Sequence, residues 1–238
     1  MFDILYSHDD FIVINKHPNV SVHKDDGDTM LVQEVAAQVN ADKLFLVHRL
    51  DKMTSGILLL ACSSASASAL SGLFAARTVE KYYLAIGAKK PKKKQGLVMG
   101  DMERSRRSSW KLVNSTHNPA ITQFFSFAGE PGERVFLCKP HTGKTHQIRV
   151  ALNSVGSSIV GDPIYSSDTG VDRGYLHAFS LSFDYLNQTF RFVCDPREHA
   201  ECGQKWHSQT VSDVIDSIAE PWQLAWPKLN NRDKHANN

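Results

Sequence analysis

A short polar segment carries the residues best suited to chemistry. It reads His48-Arg49-Leu50-Asp51, and a strongly apolar run at residues 57–61 follows soon after. An apolar run of this length, bounded by turn residues, predicts a buried strand. We therefore expect Asp51 at the mouth of a rigid element with cations around it, which suits a nucleophile or a proton-transfer group.

Residues 142–149 form a second polar segment, in which a Thr-Gly pair precedes a predicted helix. The N–H groups of a helix start, with Lys144 beside them, suit an anion. Alternatively, Thr142 or Thr145 only caps the helix. His146 could act as a ligand or a base, although a lone histidine in a helix is more often structural.

Arg149 lies on this predicted helix between two apolar neighbours. A cation in that setting is expected to bind a carboxylate, and Asp51 is the candidate; the alternative is a surface arginine whose stem packs on apolar groups. Two further polar segments stand at residues 81–83 and 161–165. His177, in a predicted strand, is interpreted as a buried, hydrogen-bonded histidine.

The elements around these segments predict an α+β fold, with a mixed, mainly antiparallel central sheet flanked by helices. Most adjacent strands are joined by short turns, and residues 89–119 are expected to form an irregular connection. Strands are predicted at residues 4–6, 11–14, 57–61, 80–88, 121–127, 134–139, 175–183 and 190–194. Helices are predicted up to residue 38 and at residues 63–76, 146–155 and 208–219.

The composition narrows the protein class. The hydrophobic fraction of 42% allows a sizeable core, and no apolar run reaches the length of a membrane span. The N-terminus lacks the pattern of a secretory signal, and the four cysteines are scattered, so we expect a cytoplasmic protein without a metal site or disulfide framework. No phosphate-binding glycine motif supports a nucleotide cofactor.

The distribution of charge says more than the net charge of +2. A dense basic run occupies residues 89–94, and a second basic cluster occupies residues 104–107. Such clusters can bind nucleic-acid phosphates, but charge alone is equally compatible with a solvated loop.

Taken in order, five motifs resemble those of the RluA family of pseudouridine synthases over about residues 4–195. They are H-R-L-D-x-x-T-S-G at residues 48–56, K-x-Y at 81–83, T-G-R-T-H-Q-I-R at 142–149 with Lys144 in place of Arg, G-D-P-x-Y at 161–165, and L-H-A at 176–178. Any one motif alone would be weak, whereas five in the right order are specific. The chain departs from the family where N-K-P becomes Asn15-Lys16-His17-Pro18, which bears on substrate identity rather than on chemistry.

The resemblance implies that Asp51 is the catalytic aspartate and that Arg149 pairs with it. It also implies that Tyr83 packs on the target base and is a candidate to relay a proton, so Tyr82 should point to the opposite face of its strand. The implied partner is ribosomal or transfer RNA. No cofactor is expected, and the protein is expected to act as a monomer. Residues 1–228 would form one catalytic domain without a separate N-terminal RNA-binding domain, followed by a disordered tail at 229–238.

The resemblance and the basic run together supply a set of residues expected to contact RNA. They are His48, Arg49, Thr54, Lys81, Lys92, Lys93, Lys94, Lys144, His146 and Gln147. For His48 and Arg49, fixing the loop is the alternative to contacting RNA. Two rival functions stay open: an inactive RNA-binding protein on the same fold, and a glycosidase with Asp51 as nucleophile, for which Asp162 would be the candidate second acid.

Overall fold

The computed structural model describes residues 1–22, 30–106, 108–168, 170–198, 203–227 and 229. The packing of the chain divides it into two compact units. The first comprises Met1–Lys81 with Leu176–Cys202, and the second comprises Tyr82–Tyr175 with Gly203–Asn238. That residues 1–228 act as one catalytic domain stays a prediction, and the expected disordered tail lies outside the described residues except for Leu229.

The first unit is built on a mixed sheet. Its strands are β1 (Phe2–Ser7), β2 (Phe11–Lys16), β3 (Phe45–Leu46), β4 (Ser55–Ala61), β10 (Leu176–Tyr185) and β11 (Gln188–Val193). Strands β1, β2 and β4 pair antiparallel in that order, β4 also pairs with β3, and β10 pairs antiparallel with β11. Strand β4 meets β10 in a parallel pair, so the sheet is mixed, as predicted.

Strand β4 is the centre of this unit. All seven of its residues are buried, which confirms the buried strand predicted from the apolar run at residues 57–61. A strand that is buried on both faces needs apolar side chains on both faces, and the unbroken Ile-Leu-Leu-Leu-Ala sequence supplies them. The segment that carries Asp51 leads directly into this rigid strand.

The second unit contains an antiparallel sheet in the order β5-β9-β8-β6-β7. Its strands are β5 (Glu80–Gly87, whose first two residues belong to the first unit), β6 (Gln95–Arg104), β7 (Trp110–Val113), β8 (Ala120–Ala128) and β9 (Arg134–Pro140). The hairpin predicted between residues 127 and 134 is confirmed, because β8 and β9 pair antiparallel up to Ala128 and Arg134.

The prediction of an irregular connection over residues 89–119 is wrong. Strand β6 pairs with β8 along its first six residues and with β7 along its last four. The sequence hides this because β6 is rich in Gly, Met and charged residues, and its pairing with β8 is a contact between segments distant in the chain.

Two α-helices belong to each unit among the described residues. They are α1 (Met30–Gln38) and α2 (Ser64–Ala75) in the first unit, and α3 (Gln147–Ser154) and α4 (Gln209–Ser217) in the second. Each matches a predicted helix within a few residues, and Ser63 caps α2 by accepting a hydrogen bond from the Ser66 amide. Helices packed on mainly antiparallel sheets confirm the α+β fold. Within the described residues, no helix is both long and apolar enough to span a membrane.

Candidate functional site

Asp51 lies on a short loop that the core holds on both sides. Leu50 and Met53 are 4% and 5% exposed, so their side chains anchor the loop around the half-buried Asp51. The Thr54 amide donates to the Asp51 carbonyl at 3.0 Å and closes a turn immediately before β4. The carboxylate is thus carried on a fixed backbone, as the sequence predicted for this segment.

Lys16 is a buried cation that ties this loop to the end of β2. Its side chain has no exposed surface, and Nζ donates to the carbonyls of His17, Val20 and Lys52 at 2.9, 2.8 and 3.2 Å. Because Lys52 directly follows Asp51, the ammonium group fixes the backbone beside the candidate catalytic residue. Sequence reasoning noted Lys16 only as part of a variant motif and missed this role.

His48 supports the same loop through its ring. Its Nε2 accepts the Leu59 amide at 2.9 Å, which satisfies a β4 backbone group just beyond the short β3 pairing. The ring also stacks on Phe74 with centroids 4.5 Å apart. Burial, reinforced by the nearby Lys81 charge, lowers the pKa of His48 to about 3, so the ring is neutral and able to accept. Of the two predicted roles, this geometry favours fixing the loop over contacting RNA.

Lys81 lies near the same Phe74 ring. Its Nζ is 5.8 Å from the centre of the Phe74 ring, and its side chain is half-buried. Burial, together with the charge of Arg77, lowers the pKa of Lys81 from its ordinary value. Lys81 therefore combines packing on an aromatic ring with a partly dehydrated cation, which leaves it suited to an anion.

Tyr82 and Tyr83 take opposite faces of β5, as predicted from their adjacency in a strand. Tyr82 is 1% exposed and packs against Trp226, while the Lys139 ammonium donates to its hydroxyl at 3.1 Å. Tyr83 is half-buried on the other face, so its ring keeps some accessible surface. The structure thus makes Tyr82 a core residue and leaves Tyr83 as the candidate for stacking on a base.

Arg149 is 3% exposed and binds a carboxylate, as expected of a cation among apolar neighbours. The carboxylate is that of Asp162: the Arg149 Nε and Nη2 groups donate to Oδ2 and Oδ1 at 2.7 and 2.8 Å. Asp162 is itself fully buried, and its Oδ1 also accepts the amides of Ile164 and Tyr165. Sequence reasoning considered Asp162 only as the candidate second acid of a glycosidase and missed this pair; a pairing of Arg149 with Asp51 stays a prediction.

The start of α3 is held by side chains rather than by a threonine cap. Its N-cap is His146, in the left-handed region at φ 59°, so the alternative in which Thr142 or Thr145 caps the helix is wrong. Thr142 instead donates to Gln147 Oε1 at 2.7 Å, and the Lys144 amide donates to the same oxygen at 3.0 Å.

The residues predicted to contact RNA differ in their exposure to solvent. Thr54 and Gln147 are 2% and 5% exposed, and the Gln147 amide group also donates to Ile121 and Thr122, so both residues are suited to hold the fold. Lys144 and His146 are half-buried, and His146 Nδ1 lies 3.1 Å from the Tyr165 hydroxyl. The exposed members of the set are Arg49, Lys92, Lys93 and Lys94.

His177 occupies the core position predicted for it. Its ring has no exposed surface, its Nδ1 lies 2.7 Å from the Ser55 hydroxyl, and its Nε2 lies 2.8 Å from the Cys194 carbonyl. A carbonyl oxygen can only accept, so Nε2 carries a proton. His177 thus links β4 to the end of the β10–β11 hairpin and takes a structural role.

Comparison with known proteins places these motifs in one family. The sequence profile of the RNA pseudouridylate synthase family matches residues 10–154. The chain is 50% identical to an uncharacterized RNA pseudouridine synthase of Haemophilus influenzae, over 90% of this chain and 94% of the relative. It is 31% identical to the ribosomal large subunit pseudouridine synthase C of Vibrio vulnificus, over 76% of this chain and 61% of the relative.

A similar fold is found among solved structures. The structure of human RNA pseudouridylate synthase domain containing 1 superposes on this chain with a TM-score of 0.73. The superposition covers 96% of this chain and 97% of the human chain. The two sequences are 23% identical, so this likeness concerns the fold.

Proposed function

The chain belongs to the RNA pseudouridylate synthase family, and we propose that it isomerises particular uridines of structured RNA to pseudouridine with Asp51 as the catalytic group. The observation that carries the proposal is the anchored loop of the first unit, on which the family's aspartate stands. Leu50, Met53 and the Lys16 ammonium fix the backbone around Asp51, as catalytic precision requires.

The proposed reaction is a rearrangement without net oxidation or reduction. The N1–C1′ bond of the uridine breaks, the uracil turns, a C5–C1′ bond forms, and the proton on C5 leaves while N1 regains one. Product and substrate therefore have the same composition, and the stoichiometry requires no co-reactant. Asp51, when ionised, can attack the sugar or the base, or remove a proton from C2′.

The family motifs supply two further groups for this chemistry. A guanidinium keeps a nearby carboxylate ionised when water is excluded, and Arg149 is the arginine of the motif. The target nucleotide must leave the RNA stack at a cost of roughly a few kcal/mol, and stacking on an aromatic ring such as Tyr83 can return about 1–3 kcal/mol. The half-buried state of Tyr83 supports this role, because its ring keeps accessible surface.

The exposed cations support an RNA-binding surface. Arg49 is exposed next to the catalytic segment, and Lys92, Lys93 and Lys94 are exposed ahead of β6. Lys81 and Lys144 are half-buried cations, and each would bind a phosphate at its own position rather than as part of an exposed cluster. Phosphate contacts of this kind give RNA binding its affinity and its dependence on salt.

Ribosomal RNA is the first substrate to test, and transfer RNA the second. The Vibrio relative is named a ribosomal large subunit pseudouridine synthase, which favours ribosomal RNA for this chain. Unmodified transcripts of ribosomal and transfer RNAs would be incubated with the purified protein, and pseudouridine would be mapped by carbodiimide adducts and reverse transcription. We expect one or a few modified uridines.

The Asp51→Asn variant tests the assignment of the catalytic group. We expect the modification rate to fall by roughly a thousandfold or more, because the nucleophile or base is lost while the loop that carries it is kept. RNA binding and the far-UV circular dichroism spectrum should stay near wild type. The control is Asp42→Asn, a change at an exposed aspartate of the same unit, which should retain activity.

The rival functions predict different outcomes of the same assay. An inactive RNA-binding protein would bind the transcripts without modifying any of them, and a glycosidase would release free uracil. The structure weakens the glycosidase hypothesis, because Asp162 is fully buried and both of its oxygens accept hydrogen bonds from Arg149. A carboxylate held in this way is poorly suited to protonate a leaving group. Normal turnover by Asp51→Asn would refute the catalytic assignment.

A further inference from the structure

Tyr165, in the second unit, joins three parts of the structure through its backbone and its side chain. Its amide donates to Asp162 Oδ1 at 3.1 Å, and its ring lies under the Arg149 guanidinium, 5.2 Å from the ring centre. The His146 ring meets it edge-on at 5.8 Å. With backbone and ring held by separate contacts, the hydroxyl of Tyr165 has a fixed position.

That hydroxyl binds the β6–β7 hairpin, which is defined as β6, β7 and the described residues 105, 106, 108 and 109 between them. The amide of Trp110, the first residue of β7, donates to the Tyr165 oxygen at 2.7 Å. The oxygen also lies 3.1 Å from His146 Nδ1. Because the oxygen accepts the Trp110 proton, its own proton can go to a neutral His146, and one hydroxyl links the hairpin to the start of α3.

The hairpin needs such an anchor. Strand β7 stands at the end of the sheet order in this unit and pairs with β6 through only four residues. An edge strand this short has backbone groups that the sheet does not satisfy. The Tyr165 hydroxyl satisfies the first of them, the amide of Trp110 at the start of β7.

The hairpin carries groups that fit an RNA strand. Arg104 and Arg106 are exposed, and the Arg104 guanidinium lies 5.7 Å from the centre of the half-buried Trp110 ring. Arginine beside an aromatic ring suits single-stranded RNA, because the cation binds phosphate and the planar groups stack on bases. On the same hairpin, Lys111 pairs with Glu103 at 3.3 Å.

We propose that Tyr165 is a positioning residue whose hydroxyl fixes the β6–β7 hairpin beside α3, so that Arg104 and Arg106 bind phosphates of the RNA substrate. The proposal rests on the proposed function, because these phosphates belong to the RNA that is the proposed substrate. It assigns Tyr165 to RNA binding rather than to the chemical step.

The test is Tyr165→Phe, which keeps the ring under Arg149 and removes the hydroxyl. Two readouts are expected to change. Hydrogen exchange at the Trp110 amide should become at least about tenfold faster, since its hydrogen bond is lost. The KM for the modified transcript should rise about five- to tenfold, as expected from the loss of one net hydrogen bond, while kcat stays within about twofold.

A double-mutant comparison separates the hairpin from other effects of the change. In an Arg104→Ala, Arg106→Ala background, Tyr165→Phe should raise KM little further, because the groups that it positions are gone. The matched control is Tyr185→Phe, which removes the hydroxyl bound to Asp10 in the first unit and should leave the KM for RNA unchanged.

Three results would overturn the proposal: unchanged exchange at Trp110, a fall in kcat without a rise in KM, or KM effects that multiply fully in the combined variant. If the wild-type protein modifies no transcript, the proposed function fails instead. In that case the exchange rate and the Kd for the same transcripts, measured in place of KM, still decide whether Tyr165 positions the hairpin for RNA.

Discussion

At the scale of single residues, buried cations are the least expected feature of this protein. Lys16 has no exposed surface and Arg149 is 3% exposed, although both types usually stay in water. Each is compensated by hydrogen bonds within its own unit, Lys16 to three carbonyls and Arg149 to the Asp162 carboxylate. Breaking such a buried arrangement from one side is costly, so both cations are suited to hold backbone next to catalytic motifs.

His48 gives a prediction about acid stability. In the folded protein burial lowers its pKa from 6.5 to about 3, whereas the unfolded chain has the ordinary value. The unfolded state therefore binds more protons between pH 6.5 and 3, and the free energy of unfolding falls as the pH drops through this window. His48→Gln offers an acceptor for the Leu59 amide but does not titrate. Between pH 6.5 and 4, we expect the free energy of unfolding of this variant to fall less steeply with decreasing pH than that of the wild type. The two slopes should differ by up to about 1.4 kcal/mol per pH unit.

Urea unfolding at several pH values measures this slope. The control is His207→Gln, a change at an exposed histidine that should keep the wild-type slope. Parallel slopes for His48→Gln and the wild type would mean that His48 is not held neutral by the fold, and would reopen the interpretation of His48 as an RNA contact.

At the scale of elements, Gly56 allows β4 and β10 to approach. Its φ is 103°, and an added Cβ would lie 2.3 Å from the Ala178 carbonyl oxygen across the parallel pair. Gly56→Ala should therefore lower the free energy of unfolding by at least about 3 kcal/mol, or prevent folding, because backbone on both sides would have to move. Urea unfolding and the yield of soluble protein measure the effect.

Gly72→Ala is the matched control for this prediction. Gly72 lies in α2, where an added Cβ meets nothing within 4 Å, so alanine should leave stability unchanged or raise it by up to about 1 kcal/mol. A Gly56→Ala variant as stable as Gly72→Ala would show that β4 and β10 can separate without penalty.

The elements also show what local sequence can and cannot predict. The buried β4, the helix α2 and the β8–β9 hairpin follow from a continuous apolar run, the helical spacing of apolar residues and turn residues, all of which act within a few residues. Strand β6 escaped prediction because most of its pairing is with β8, which lies farther along the chain, and β7 pairs in turn with β6. The Asp162 partner of Arg149 was missed for the same reason: 13 residues separate the pair, and a loop carries the carboxylate.

The candidate site could likewise be predicted from the sequence only in part. Motif order predicts Asp51, Tyr83 and Arg149 as site residues, because a family resemblance carries residue types and spacing. It could not tell that Gln147 and Thr54 are buried, since burial depends on tertiary packing. Nor could it give Tyr165 a role, because the link from its hydroxyl to Trp110 joins segments 55 residues apart.

At the scale of the whole molecule, the charge is nearly balanced but unevenly placed. The chain has 27 basic and 25 acidic side chains, and its basic clusters stand at the two ends of β6. Lys92, Lys93 and Lys94 precede the strand, while Arg104 ends it. A ten-residue strand is about 33 Å long, so the two clusters would bind different stretches of one RNA.

The lysine cluster therefore makes its own prediction for RNA binding. Replacing Lys92, Lys93 and Lys94 by Ala should weaken binding of the modified transcript and reduce the slope of log Kd against log salt by up to about 2, since each single-stranded phosphate contact contributes about 0.7. The Lys→Arg triple variant keeps the three charges and should keep the slope. Because the salt slope counts the phosphates neutralised, it separates a direct contact from a change in fold. An unchanged slope in the Ala variant would mean that these lysines form a solvated loop that does not contact RNA. Recognition of RNA would then depend on the other cations.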